Sequence, residues 1–281
     1  MQDTEQLILT IQHNVINALM EDIGTGDATA QLIPAQITTT ASVISREPAI
    51  LCGTAWFNSC FLTLAPDTRI DWHARDGESV SSGQTLCKLH GDARVLLSAE
   101  RTALNFLQML SATATLTRRY VDAVQDTHCQ IMDTRKTLPG LRIAQKYAVR
   151  TGGGSNQRNG LYDGILIKEN HILAAGSIAT ALAASHHSTL PIQIEVENLN
   201  ELEQALSAGA SLILLDNFTI PELHAAVSLT AGRAILEASG GVNLSNVRDI
   251  ALTGVQRISI GDLTKHILAI DLSMRILHKT A

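Results

Sequence analysis

Between residues 133 and 142 the chain reads Asp-Thr-Arg-Lys-Thr-Leu-Pro-Gly-Leu-Arg. An apolar run over 129–132 leads into it and reads as a short buried strand, so Asp133, Arg135 and Lys136 stand directly at a strand end. Charges there are poor core material and suit a site for an anionic ligand. The arrangement repeats: apolar runs at 164–167, 191–194, 211–215, 234–236 and 256–260 lead into Lys168, Glu195, Asp216, Glu237 and Gly261. Arg135, Lys136, Arg158 and Lys168 supply positive charge. Arg can grip a carboxylate with two parallel hydrogen bonds, and Lys adds a compact cation. Glu195, Asp216 and Glu237 suit a divalent metal such as Mg²⁺, or ribose hydroxyls. The two sets describe a carboxylate-bearing substrate together with a Mg²⁺-bound phosphate compound.

These runs alternate with helical patterns, which implies βαβ units and a parallel sheet. In a β/α barrel the active site lies at the C-terminal ends of the strands, where these charges fall. Ser239-Gly240-Gly241 follows a strand and reads as opening a helix, an arrangement that offers backbone N–H groups to a phosphate. Gly261 could do the same from the neighbouring strand. No Walker loop and no Gly-x-Gly-x-x-Gly follows a strand, which disfavours an ordinary ATPase or dehydrogenase. Lys168 could form a Schiff base or act as a fixed cation, and the cation reading is preferred. His171 reads as a loop-positioning residue.

Upstream, residues 4–20 carry helical spacing and 21–27 form a loop rich in turn residues. Residues 38–52 read as strand, turn, strand, residues 54–64 as a helix, and 68–97 as short strands joined by turns. Together they predict a small α/β domain with an antiparallel sheet. A long helix is expected over 98–126, capped by Ser98 and broken near Ser111, with Arg101 and Asn105 one turn apart on one face.

Hydrophobic residues make up 45% of the 281, enough for a substantial core, and the net charge of −6 argues against general nucleic-acid binding. The four cysteines form no Cys-x-x-Cys pair, so free thiols are expected. The first residues lack the basic segment of a signal peptide, and no apolar run suits a membrane helix. A soluble cytoplasmic protein is the expectation.

A series of longer motifs resembles the quinolinate phosphoribosyltransferase family, the decarboxylating nicotinate-nucleotide pyrophosphorylases of NAD synthesis. They are Glu21-Asp-Ile-Gly-Thr-Gly-Asp, Arg46-Glu-Pro, Glu100-Arg-Thr-Ala-Leu-Asn-Phe-Leu, Asp133-Thr-Arg-Lys-Thr and Pro139-Gly-Leu-Arg. The series continues through Gly152-Gly-Gly, Asn156-Gln-Arg, Gly160-Leu-Tyr-Asp, Leu166-Ile-Lys-Glu-Asn-His, Glu195-Val-Glu-Asn, Leu215-Asp-Asn-Phe and Glu237-Ala-Ser-Gly-Gly.

The resemblance implies an N-terminal α/β sandwich domain, assigned to 1–112, and a C-terminal open seven-stranded β/α barrel, assigned to 113–265. A helix over 266–281 is expected to pack back on the first domain. The resemblance also implies a homodimer in which Arg101 is donated across the interface, with Arg46 contributing there. Arg135, Lys136, Gln157, Arg158 and Lys168 would bind quinolinate and the phosphates. Glu195 and Asp216 would hold ribose hydroxyls and Mg²⁺, and Ser239, Gly240, Gly241 and Gly261 the 5′-phosphate. Lys136, Lys168, Glu195 and Asp216 are the expected catalytic set, with phosphoribosyl pyrophosphate as co-substrate and no organic cofactor. Gln157 departs from the pattern, which has His between Asn156 and Arg158. Two other enzyme readings remain open, a related phosphoribosyltransferase for another heterocyclic acid and a Schiff-base lyase using Lys168. A catalytically silent barrel that senses phosphorylated metabolites is the third alternative.

Overall fold

Alternating burial along residues 38–45, where Ala41, Val43 and Ser45 are buried, marks a strand with one face on a core. The computed structural model describes residues 2–277. In chain order the elements are α1 (Gln2–Ile23), β1 (Thr38–Ser45), β2 (Ala49–Ile50), α2 (Thr54–Leu64), β3 (Arg69–Trp72), β4 (Ser79–Val80), β5 (Thr85–Asp92) and α3 (Ala93–Ala123). Then come β6 (Gln130–Met132), α4 (Arg142–Thr151), β7 (Ile165–Ile167), α5 (Glu169–Ala175), α6 (Ile178–Ser185), β8 (Ile192–Val196), α7 (Leu199–Ser207) and β9 (Leu212–Asp216). The last are α8 (Ile220–Thr230), β10 (Ile235–Ser239), α9 (Val247–Leu252), β11 (Arg257–Ser259), α10 (Asp262–Lys265) and β12 (Leu272–Leu277).

The chain divides into two units. The first takes the described residues up to Leu116, then Leu138–Gly152, then those from His266 on. Its sheet runs β12-β1-β5-β3, antiparallel throughout, over a core that includes Trp56, Phe57, Phe61 and Leu104. The single boundary expected at 112/113 does not describe this division. Residues 138–152 belong to the first unit because α4 buries Ala144 and Ala148 in its core, and the Tyr147 hydroxyl donates to Asp76 Oδ2 at 2.8 Å. Asp76 also accepts from the N–H groups of Gly53 and Thr54, so one carboxylate caps α2 and anchors α4.

The helix expected over 266–281 is not formed. Residues 272–277 are a strand, and 278–281 lie outside the described residues. Leu272 and Met274 alternate with exposed or half-buried neighbours and pair along β1, from Ser45↔Leu272 to Thr40↔Leu277. The long helix is also continuous through Ser111. The Ser111 hydroxyl accepts from Cys52 N–H at 2.9 Å and donates to Cys52 O at 3.1 Å, so this small polar residue ties the helix sideways. Ser98 lies inside α3 and donates to Asp27 Oδ2. Asp92 provides the cap, accepting from the N–H groups of Arg94 and Val95. All four cysteines are free thiols, and burial pushes that of Cys60 up to about 12.

The second unit holds Thr117–Thr137 and Gly153–Lys265. Its parallel sheet runs β6-β11-β10-β9-β8-β7. It is open between β6 and β7, the first two strands in sequence. Six strands form where seven were expected. The stretch at Ser155 makes only an isolated parallel bridge to Met132, sealed by Ser155 N–H to Ile131 O at 2.8 Å and Asp133 N–H to Ser155 O at 3.1 Å. Gly153, at φ +96°, and the polar residues after it take that segment out of strand geometry after one bridge.

Candidate active site

Side chains alternate along a strand, so residues two apart share a face. Gln193 and Glu195 share one face of β8, Leu214 and Asp216 one face of β9, Glu237 and Ser239 one face of β10. The later member of each pair lies nearer the C-terminal end of its strand. There, in the second unit, a cavity of 220 Å³ opens. Arg135, Lys136, Gln157, Arg158, Lys168, Glu195, Asp216 and Ser239 all line it. Eight of the residues expected to bind substrate therefore share one cavity. Thr134, Leu166, Leu214 and Ser259 also line it and were not singled out from the sequence. Two-residue periodicity back from Lys168, Asp216 and Gly261 was the signal that could have found the last three.

Asp133 reads from sequence as a strand-end charge, but it is fully buried. Its Oδ1 accepts from Gln157 N–H at 2.8 Å and its Oδ2 from Asn156 Nδ2 at 2.5 Å. A buried carboxylate is thus used to fix the 156–158 segment beside the end of β6. That brings Arg158 close to Arg135. The Arg158 guanidinium pKa lies below its ordinary value, first because the group is partly buried and then because Arg135 repels it. Arg158 Nη1 donates to Gly164 O at 2.9 Å, which leaves the rest of the fork for a ligand. Two guanidiniums held together are poised for a ligand with more than one negative charge.

Lys168 Nζ lies 2.7 Å from Glu195 Oε2, across the β7–β8 pair. The backbone N–H of Lys168 donates to His171 Nδ1 at 3.0 Å, which gives His171 the positioning role expected for it. Asp216 Oδ2 accepts from Asn217 Nδ2 at 2.8 Å, and Asn217 N–H donates to Ser239 O at 2.9 Å. Gly240 is required here. A Cβ on it would overlap the Asn217 side chain and lie 2.9 Å from the Asn217 backbone nitrogen, and its φ is +94°. Gly261 leaves room for Lys136, whose Cδ would sit 3.1 Å from an added Cβ.

Two expectations need correction. Gly240 and Gly241 do not open a helix, because α9 starts only at Val247 after a turn in which Asn246 Nδ2 donates to Gly241 O. Glu237 is not at a strand end. β10 continues to Ser239, so Glu237 is buried inside the strand and does not line the cavity. Arg46 and Arg101, expected to serve a partner subunit's site, are residues of the first unit. Arg46 Nε is 3.8 Å from Asp271 Oδ1, and Arg101 is exposed on α3.

Among the described residues, no group of three or more His, Cys, Asp or Glu is arranged to hold a metal ion. No helix there is long and apolar enough to cross a membrane.

Comparison with known proteins gives one answer along nearly the whole length. The family model for the quinolinate phosphoribosyl transferase N-terminal domain matches residues 27–111, and that for the C-terminal domain matches residues 113–275. A probable nicotinate-nucleotide pyrophosphorylase [carboxylating] of Bacillus subtilis is 41% identical, over 92% of this chain and 90% of that protein. The Mycobacterium leprae nicotinate-nucleotide pyrophosphorylase [carboxylating] is 42% identical, over 92% of this chain and 94% of its own length. The solved structure of nicotinate-nucleotide pyrophosphorylase from Francisella tularensis superposes with a TM-score of 0.94 at 46% identity, over 96% of this chain and 97% of that one. The chain belongs to the quinolinate phosphoribosyl transferase family.

Proposed function

We propose that the chain is a pentosyltransferase that joins quinolinate to the ribosyl group of phosphoribosyl pyrophosphate. It releases pyrophosphate and CO₂ and gives nicotinate mononucleotide for NAD synthesis. The observation that carries this reading is one cavity lined by Arg135, Lys136, Arg158 and Lys168 together with Glu195 and Asp216. Cations suit a dicarboxylate and a polyphosphate. The two acids suit ribose hydroxyls and the positive charge that develops at ribose C1.

The quinolinate nitrogen attacks C1 as the bond from C1 to the pyrophosphate oxygen breaks, and pyrophosphate leaves with that electron pair. Arg135 and Arg158 grip the two carboxylates and aim the nitrogen, a weak nucleophile, so positioning supplies much of the rate. Lys136 and Lys168 neutralise the departing charge. Quaternising the nitrogen makes the ring an electron sink. The bond from C2 to its carboxylate then breaks, CO₂ leaves, and the carbon takes up a proton. Ser239, Gly240, Gly241 and Gly261 cradle the 5′-phosphate, with Gln157 beside the quinolinate carboxylates.

The residues present fit Mg²⁺. The cavity offers two carboxylates and no larger protein ligand set, and Mg²⁺ commonly uses one or two carboxylates and completes its shell with water and substrate phosphates. Glu195 and Asp216 would hold it, and it would add charge neutralisation at the pyrophosphate. We further propose a cytoplasmic homodimer in which Arg101 of each subunit serves the other's quinolinate site and Arg46 lies near the interface.

The test is a Mg²⁺-dependent assay with quinolinate and phosphoribosyl pyrophosphate, following nicotinate mononucleotide and CO₂, with nicotinate run in parallel. Product from quinolinate alone is the expected result. Product from another heterocyclic acid only would favour a related transferase. The 2.7 Å pair with Glu195 favours Lys168 as a fixed cation over an amine nucleophile. Borohydride trapping of Lys168 on a carbonyl substrate would reverse that choice.

A further inference from the structure

Glu237 is a carboxylate with no exposed surface, in the interior of β10. Burying an acid is costly unless its oxygens are fully engaged, and the equivalent inward position on the adjacent strand is Leu214, paired with Glu237 in register. Packing alone therefore does not call for an acid here. Its partners show what it does. One oxygen accepts from Gln157 Nε2, and the other accepts from Gln193 Nε2 at 3.0 Å. On β11, Ser259 and Arg257, the register partner of Glu237, both favour its ionised form, and Cys129 is a titratable neighbour. Burial raises the pKa of the Glu237 carboxyl, and the hydrogen bonds and Arg257 only partly oppose this. The site tolerates that cost.

Gln157 is consequently held at two points by two buried acids. Its backbone N–H is fixed by Asp133 and its side-chain amide by Glu237. An amide can present either its oxygen or its nitrogen, and both Glu237 oxygens accept from amide N–H groups, so it is the nitrogen of Gln157 that faces the acid. Glu237 thus sets which end of the Gln157 amide points into the barrel, and with it the orientation offered to the cavity. Gln157, Arg158 and Leu166 line both this mouth cavity and a second, 280 Å³ cavity that Glu237 also lines, so they form the wall shared by the two.

We infer that Glu237 is a positioning residue for quinolinate: through Gln157 it fixes the part of the cavity that receives the substrate carboxylates, and it has no part in binding phosphoribosyl pyrophosphate. This rests on the reading of the cavity as a quinolinate phosphoribosyltransferase site. Glu237→Gln keeps the shape but replaces one accepting oxygen with an amide donor.

The experiment is steady-state kinetics on Glu237→Gln, Gln157→Ala and the double variant, varying each substrate in turn, with melting temperatures recorded. Glu237→Gln is expected to raise KM for quinolinate about tenfold, leaving kcat and KM for phosphoribosyl pyrophosphate within about twofold. Because the acid acts through Gln157, the double variant is expected to match Gln157→Ala alone and not the product of the two effects. An unchanged quinolinate KM in folded Glu237→Gln, an equal rise in both KM values, or multiplicative effects in the double variant would overturn the inference. If Glu237→Gln does not fold, Glu237→Asp carries the same test, since the shorter acid keeps the carboxyl but withdraws it from Gln157 Nε2. Failure of the wild type to turn over quinolinate would overturn the parent reading as well. Normal wild-type turnover with an unchanged KM in the variant overturns this inference alone.

Discussion

Lys168 and Glu195 face each other at 2.7 Å from neighbouring parallel strands, with the lysine side chain 48% exposed and the glutamate 14%. A pair this open contributes little to folding, about 1 kcal/mol or less. Its worth lies in charge at the mouth of the barrel. Lys168→Met and Glu195→Gln should each melt within a few degrees of the wild type yet lose about a hundredfold or more in kcat. Side-by-side melting curves and turnover numbers check this, and a large stability loss with modest kinetics would make the pair structural.

Arg158 should not tolerate lysine. Its fork donates to Gly164 O while it stands beside Arg135, and an ammonium cannot hold the backbone and a carboxylate in one plane. Arg158→Lys and Arg135→Ala are each expected to lower kcat/KM for quinolinate by about a hundredfold. Near-normal efficiency in either variant would remove that arginine from the site.

Asp163 gives a pH signature. Burial raises the pKa of its carboxyl, but the N–H groups of Gly160 and Asn159 donate to it at 2.9 and 2.8 Å and hold the net value below the ordinary 3.8. A lowered carboxyl stabilises the fold above its unfolded value and loses that contribution as pH falls through the folded one. Asp163→Asn should therefore lower the melting temperature by about 2 °C at pH 7. The gap should close below about pH 3.8, where the wild type loses the same bonds. A gap independent of pH would mean the carboxylate charge is irrelevant to that loop.

Ser111→Ala tests the sideways tie of the long helix. It would leave the buried N–H and C=O of Cys52 without their partner, a loss of about 2–3 kcal/mol. Urea denaturation would read the change, with the active-site kinetics of the remaining folded protein unaltered.

Apart from Gln157 and Arg158, which follow a Gly-rich segment, the chemistry-bearing residues were legible because they stand at the ends of short apolar runs, and parallel strands deliver their ends to one edge. What misled was local pattern that tertiary pairing overrode. The apolar run at 234–236 ends before Glu237, yet β10 continues through Ala238 and Ser239 because β9 offers it partners as far as Asp216. The Ser- and Thr-rich stretch after Met109 reads as a helix break, but Thr113 and Thr115 donate to carbonyls four residues back and the helix continues. Residues 266–277 carry apolar positions compatible with helix or strand, and only the free side of β1 decides between them.

That last pairing has a consequence for synthesis. β12 covers the outer side of β1, and every residue of the second unit lies between them in the chain. On the ribosome the second unit is therefore complete while β1 still presents an unsatisfied row of backbone groups, a template for wrong partners. The unit that begins first is finished after the second, so the nascent chain is open to misassociation until β12 has emerged.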